Sequence, residues 1–155
     1  MKITYRGDYA LKALFQLALR YGEPDRGGVL SINEIAKAGD MPMKFLEQIL
    51  LILKKGGFVK SIRGREGGFV LAKAPKDITI GEVIRFIEGP IEPIACIEKE
   101  NYRGCKDVKN CILRDVWKEV NSAVSNIIDT VTFEGLIDKY KNKKLNEKSV
   151  YEYVI

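Results

Sequence analysis

The chain has 155 residues, 46% hydrophobic and 30% charged, with three cysteines and no histidine. That is enough apolar material for one domain with its own core, no apolar run reaches membrane-spanning length, and histidine is missing as a general base near neutral pH. The net charge of +5 is uneven: residues 1–75 hold 13 Lys and Arg against 7 Asp and Glu, whereas residues 76–155 hold 13 against 14, so the first half is the half suited to a polyanion.

Thr4 is the expected N-cap of a first helix reaching about Tyr21, because Ala10, Leu11, Leu14, Phe15, Leu17 and Ala18 recur at helical spacing. Gly22, Pro24, Gly27 and Gly28 break it. Ser31 and Glu34 have capping-box spacing, which predicts a short helix carrying Ile32, Ile35 and Ala36 and ended by Gly39. Pro42 opens a third helix with Phe45, Leu46, Ile49, Leu50 and Leu53 as its buried stripe. Lys54 and Lys55 suit its negative end, and Gly56 and Gly57 stop it. Two helices joined by a tight turn make a helix-turn-helix pattern.

Phe58, Val59 and Ile62, followed by Phe69, Val70 and Leu71, read as two strands around the basic, glycine-rich tip Arg63-Gly64-Arg65-Glu66-Gly67-Gly68. This is the wing of a winged helix-turn-helix. Pro75 and Asp77 close the unit, and Thr79 with Glu82 predicts a second capping box for a helix from Ile80 to Glu88, terminated by Gly89 and Pro90.

Beyond Pro93 the chain reads as a polar loop, and a long helix starts near Cys111. Leu113, Trp117, Val120, Val124, Ile127 and Val131 step by four and three, a narrow seam that wants a second copy of itself, so a homodimer is expected. A short helix over residues 133–140, a lysine-rich linker and an apolar tail, Val150, Tyr151, Tyr153, Val154 and Ile155, complete the chain; the tail is expected to dock. The fold class is mainly α with a small β wing (α+β). Its parts are a DNA-binding unit over residues 1–90, a cysteine loop over 91–110, and a dimerisation helix with C-terminal helix and tail over 111–155.

In a winged helix-turn-helix the second helix of the motif enters the major groove, so Met43, Lys44, Glu47 and Gln48 are the candidates to meet base edges. Gln48 suits adenine, Glu47 the cytosine amino group, and Lys44 guanine or a phosphate. In the wing, Arg63 and Arg65, with Ser61 and Gly64 beside them, have the reach and charge for a narrow minor groove. The same glycines do not form the phosphate-cradling loop of a nucleotide enzyme, because they lead into a strand rather than a helix. No nucleophile motif is visible, and no enzymatic activity is expected.

Cys96, Cys105 and Cys111 fall within 16 residues, bounded by Lys99, Lys106 and Lys109. Three thiols cannot all pair, and their compactness is that of a metal or cluster site. The N-terminus has no apolar stretch of a secretion signal, so a cytoplasmic, reducing location is expected, where thiols stay free.

With these motifs in view, the chain resembles the bacterial Rrf-two family of winged-helix regulators. The likeness is carried by ITYRGDYALKAL at 3–14, FLEQIL at 45–50, GGFVKSIRGREGGFVLAKAP at 56–75 and ITIGEVIRFIEGP at 78–90, and it covers nearly the whole chain. It implies a homodimer on an imperfect palindrome in double-stranded DNA, usually as a repressor. Through the IscR and NsrR branches it also implies an iron-sulfur cluster (2Fe-2S or 4Fe-4S) on Cys96, Cys105 and Cys111 that reports redox state, nitric oxide or cluster status. The spacing departs from those branches: eight residues separate Cys96 from Cys105, a longer gap than theirs, while the five between Cys105 and Cys111 agree.

The IscR branch takes a histidine three positions past the last cysteine, and here that position is Arg114. The NsrR branch takes an aspartate from the first helix of the other subunit, which implies the partner subunit's Asp8 as fourth ligand, with Glu98, Glu100 and Asp107 as local substitutes. A first-turn aspartate is equally explained by the helix dipole. Two other accounts of the cysteines stand beside the cluster. One is a CymR-like regulator without a cluster, controlled by a partner enzyme or by thiol state, to which the tail and EGPIEPI at 88–94 are closer. The other is a structural zinc site completed by a carboxylate, although zinc usually takes cysteine pairs two to four residues apart.

Overall fold

In the computed structural model, which describes residues 3–24, 26–97, 102, 104–105 and 108–152 with side chains to residue 146, Thr4 caps the first helix as expected. Its hydroxyl accepts from the Arg6 N–H at 3.2 Å, and helix α1 spans Tyr5–Leu19. A second group, distant in sequence, holds the same helix start. Glu88 Oε1 accepts from the Thr4 N–H at 3.2 Å, the Thr4 hydroxyl at 2.6 Å and the Gly7 N–H at 3.0 Å. A Cβ at position 7 would collide with that carboxylate, so glycine is what permits the contact.

The Ser31–Glu34 capping box is formed in both directions, at 2.7 and 3.3 Å, and starts helix α2 (Ile32–Gly39). Gly39 remains helical; the left-handed stop falls one residue later on Asp40, at φ 49°, which a short polar side chain tolerates. Helix α3 (Met43–Lys55) follows after Met41 and Pro42. Strands β1 (Val59–Ile62) and β2 (Gly68–Leu71) pair antiparallel, Val59 opposite Leu71 and Ile62 opposite Gly68. Leu30 adds a short third edge, exchanging backbone hydrogen bonds with Phe69 at 3.0 and 2.8 Å. That edge leaves no room for a side chain at Gly68, where a Cβ would strike the Leu30 carbonyl, a backbone atom that cannot step aside. Gly68→Ala is therefore expected to destabilise the fold by about 1–3 kcal/mol, read as a lowered midpoint in urea unfolding.

Helix α4 (Ile80–Glu88) is capped by the Thr79 hydroxyl, which accepts from the Glu82 N–H at 3.1 Å. The reciprocal half of the expected capping box does not form: the Glu82 carboxylate instead pairs with Lys73 at 2.9 Å, because the chain leaving the wing brings that ammonium within reach. Helix α5 (Ile112–Thr130) and helix α6 (Phe133–Glu152) complete the order. The short helix and linker expected after residue 132 are one continuous helix. Phe133 is fully buried, Leu136 and Ile137 pack beside it, and Tyr140 meets Phe15 of α1 edge-on at 5.6 Å. With its first turns anchored, a run of Lys, Asn, Leu and Glu has enough helix propensity to continue. The tail expected to dock, residues 150–155, lies outside the described side chains.

One core gathers the apolar faces of α1 to α4 with Phe58, Val59 and Phe133. Among the described residues no helix is long and apolar enough to cross a membrane.

Candidate nucleic-acid interface and cysteine loop

The amphipathicity of α3 decides what it presents to solvent. Leu46, Ile49, Leu50 and Leu53 are buried in the core, and Met43, Lys44, Glu47 and Gln48 are exposed on the opposite side. All four residues expected to meet base edges therefore share an open face. Phe45 departs from its expected place: it is 59% exposed rather than part of the buried stripe. It stands with Tyr5, Tyr9 and Ile52 along an open groove between α1 and α3. The helix rotates so that Leu46 and Leu50 fill the core, which leaves position 45 at the stripe's edge.

The wing tip is a tight turn closed by the Gly67 N–H on the Gly64 carbonyl at 3.0 Å. Gly64, at φ 120°, occupies backbone space that favours glycine. Arg63 and Arg65 flank it and are exposed. Ser61, on β1, is half-buried and accepts from Lys54 Nζ at 2.7 Å, which ties the end of α3 to the strand entering the wing. Two arginines on a paired hairpin beside an exposed polar helix face form the kind of surface that meets phosphates and groove edges.

α5 is held mainly near its C-terminal end. The Ile80 N–H donates to the Val131 carbonyl at 3.0 Å and the Phe133 N–H to the Ile78 carbonyl at 3.1 Å. Four residues of the expected seam face solvent, Leu113 at 68% and Ile127 at 63% exposure with Trp117 and Val120, and Ile112 and Val116 widen the strip, whereas Val124 and Val131 are half-buried. Such a strip on a helix about 28 Å long is the kind of apolar surface that a partner covers.

The three cysteines are free thiols; Cys96 and Cys111 are half-buried and Cys105 is exposed. Cys111 is the N-cap position of α5. Arg114, on the first turn of that helix, is only 9% exposed, and it links the two ends of the loop. Its Nε donates to the Cys96 carbonyl at 2.8 Å, and its own N–H donates to the Cys111 carbonyl at 3.0 Å. The sequence marks Arg114 only as a missing histidine. No local signal marks its burial, because the apolar residues beside it, Ile112, Leu113, Val116 and Trp117, are themselves exposed.

Three thiolates are the right donors in kind for iron-sulfur iron. Among the described residues, no three of His, Cys, Asp and Glu converge closely enough to hold a metal ion. Asp8 sits on α1 and pairs with Lys12 at 2.8 Å, a contact whose hydrogen bond raises the Lys12 pKa. Glu98, Glu100 and Asp107, the local substitutes, lie outside the described residues.

Comparison with known proteins fits this geometry. The family described as Rrf2, iron-dependent transcriptional regulator, matches residues 3–139. An Rrf2-like HTH-type transcriptional regulator of Rhodobacter capsulatus is 44% identical over 138 residues, covering 87% of this chain and 91% of that one. Two solved structures are similar: CymR (YrzC), the global cysteine regulator of B. subtilis, with a TM-score of 0.73 and 34% identity over 90% of this chain and 98% of that one, and T. potens IscR, with a TM-score of 0.70 and 29% identity over 90% of this chain and 88% of that one.

Proposed function

Because the chain belongs to the Rrf2 family of transcriptional regulators, which bind DNA as dimers and are not enzymes, we propose that α3 and the wing read a palindromic duplex and that an iron-sulfur cluster on Cys96, Cys105 and Cys111 governs how the dimer grips it. The observation that carries this reading is the placement of all three free thiols between α4 and α5, the stretch that joins the DNA-reading unit to the exposed apolar seam.

Gln48, Glu47, Lys44 and Met43 face the base edges, while Arg63 and Arg65, with Gly64 shaping the turn, reach the minor groove or its phosphates. Ser61 stays on Lys54 and steadies the wing. α5 pairs with the partner's α5 through Leu113, Trp117, Val120 and Ile127, which sets the spacing of the two recognition helices. The bound cluster supplies an oxidisable centre that nitric oxide and oxygen can attack. The protein's contribution is local: Cys111 begins α5 and Arg114 ties Cys96 to the same turn, so any change in how the sulfurs are held acts on the first turn of the dimer helix.

The partner subunit's Asp8 is the fourth ligand in this account, and taking up that role requires it to leave Lys12. Asp8→Ala is expected to shift the visible spectrum of protein isolated without air and to change its rate of bleaching in air. An unaltered spectrum and rate would move the fourth ligand elsewhere.

A second reading is a CymR-like regulator whose thiols carry no cluster and which answers to thiol state or a partner enzyme. The lack of convergence among the described donors and the likeness to CymR favour it. Anaerobic purification separates the readings. Brown protein with iron and sulfide supports the cluster, colourless protein with zinc a structural site, and colourless metal-free protein the second reading.

A further inference from the structure

We propose that Arg85 is the positioning residue that sets the angle between α5 and the DNA-reading unit, an inference that rests on α3 and the wing being the DNA surface. Arg85 reaches from α4 to both carboxylate oxygens of Asp129 on α5, with Nη1 in a short ion pair to one and Nη2 at 3.0 Å from the other. Nη2 also donates to Ser125 Oγ at 3.1 Å. Asp129 and Ser125 are one helical turn apart, so a single planar guanidinium fixes both the sliding and the rotation of α5 against α4.

Gly81 lies under this ion pair, and a Cβ there would strike the Asp129 carboxylate, so the absence of a side chain is what lets that carboxylate sit where Arg85 holds both of its oxygens. On the next position of α4, Phe86 packs against Phe58 with ring centroids 5.3 Å apart, and it sits so close to Gly56 that a Cβ there would collide with its ring. Gly56 and Phe58 form the joint between α3 and β1. Adjacent residues of one short helix thus hold the dimer helix with one side chain and the root of recognition helix and wing with the other.

The ion pair adds little to stability, since its side chains are 38% and 45% exposed. Its effect is directional. In a dimer built on α5, a tilt at Arg85 is repeated at both recognition helices, and their spacing must match the turn of the duplex. Arg85 therefore governs recognition of a full palindrome and leaves recognition of one half-site alone.

The probes are a duplex selected by the wild-type full-length chain from a random-sequence pool, and the same duplex reduced to one half-site. Arg85→Met is expected to lower full-site affinity about ten-fold, with half-site affinity and dimer mass in sedimentation unchanged. Gly81→Ala favours the helix yet displaces Asp129, so it gives the same selective loss without a drop in melting temperature. Arg85→Lys recovers part of the full-site preference. A full-to-half-site ratio like the wild type's in both Arg85→Met and Gly81→Ala overturns the proposal, and so does equal loss on both probes. Failure of the wild-type chain to select any duplex would overturn the DNA reading itself and the proposal with it.

Discussion

Changing Arg63 and Arg65 together to alanine is expected to weaken binding to a selected duplex about 10- to 100-fold at about 0.15 M salt and to flatten the log–log salt dependence by up to about four, two charges from each subunit of the dimer. Both side chains are exposed on a turn whose shape is set by glycine backbone, so their removal leaves the fold within about 0.5 kcal/mol of its original stability. Affinity and stability therefore separate cleanly in this variant. The double substitution to lysine keeps the charge but loses the planar fork, and is expected to restore most of the salt slope with less of the sequence preference. The check is fluorescence anisotropy across a salt series. A slope unchanged in the double alanine variant would remove the wing from the interface.

The second large effect belongs to α5. Leu113→Asp combined with Ile127→Asp places two carboxylates on a strip that is 68% and 63% exposed at those positions. Neither side chain supports the core of its own subunit, so the single chain stays folded. Between two copies the same charges would have to be desolvated against apolar partners, which costs several kcal/mol for each. Sedimentation is expected to show a folded monomer, and full-site affinity is expected to fall by more than about 100-fold because two linked half-sites become two independent ones. A dimer of undiminished stability in this variant would place the subunit contact on another face.

What the residues alone revealed follows a physical division. Local signals were legible wherever one turn of backbone decides the outcome: the Thr4 cap, the Ser31–Glu34 box, the stop at Gly89 and the paired strands around the wing all stand where spacing puts them. The exposed face of α3 was legible too, since a buried stripe on a helix names its own opposite. Misreadings arose where a distant group competes. Glu82 has the correct spacing for a capping box, yet Lys73 takes its carboxylate, and nothing local announces that lysine's approach. The lysine-rich stretch after Tyr140 looks like a linker by charge, but burial of Phe133 and the Phe15–Tyr140 contact nucleate a helix that propensity then extends. Phe45 was misplaced because a hydrophobic stripe has edges, and rotation by less than one residue decides which side of the edge is dry.

The groups that connect the parts were the least legible. Glu88 holding the start of α1, Arg85 holding α5 and Arg114 holding the Cys96 carbonyl are all contacts between residues far apart in sequence or across a loop. Each is a charged side chain that a sequence reading assigns to solvent. Their partners become visible only when the helices are packed. Two of them tie α4 to its neighbours, Glu88 to α1 and Arg85 to α5, while Arg114 fastens the start of the cysteine loop to the first turn of α5.

The most direct test of this account compares the chain purified and kept without air with its Cys96→Ser, Cys105→Ser, Cys111→Ser variant, titrating the same selected duplex at one fixed salt concentration. The account predicts iron, sulfide and visible absorption in the first protein only, and operator affinities that differ by about ten-fold or more. Metal-free wild-type protein whose affinity matches that of the triple serine variant would contradict it.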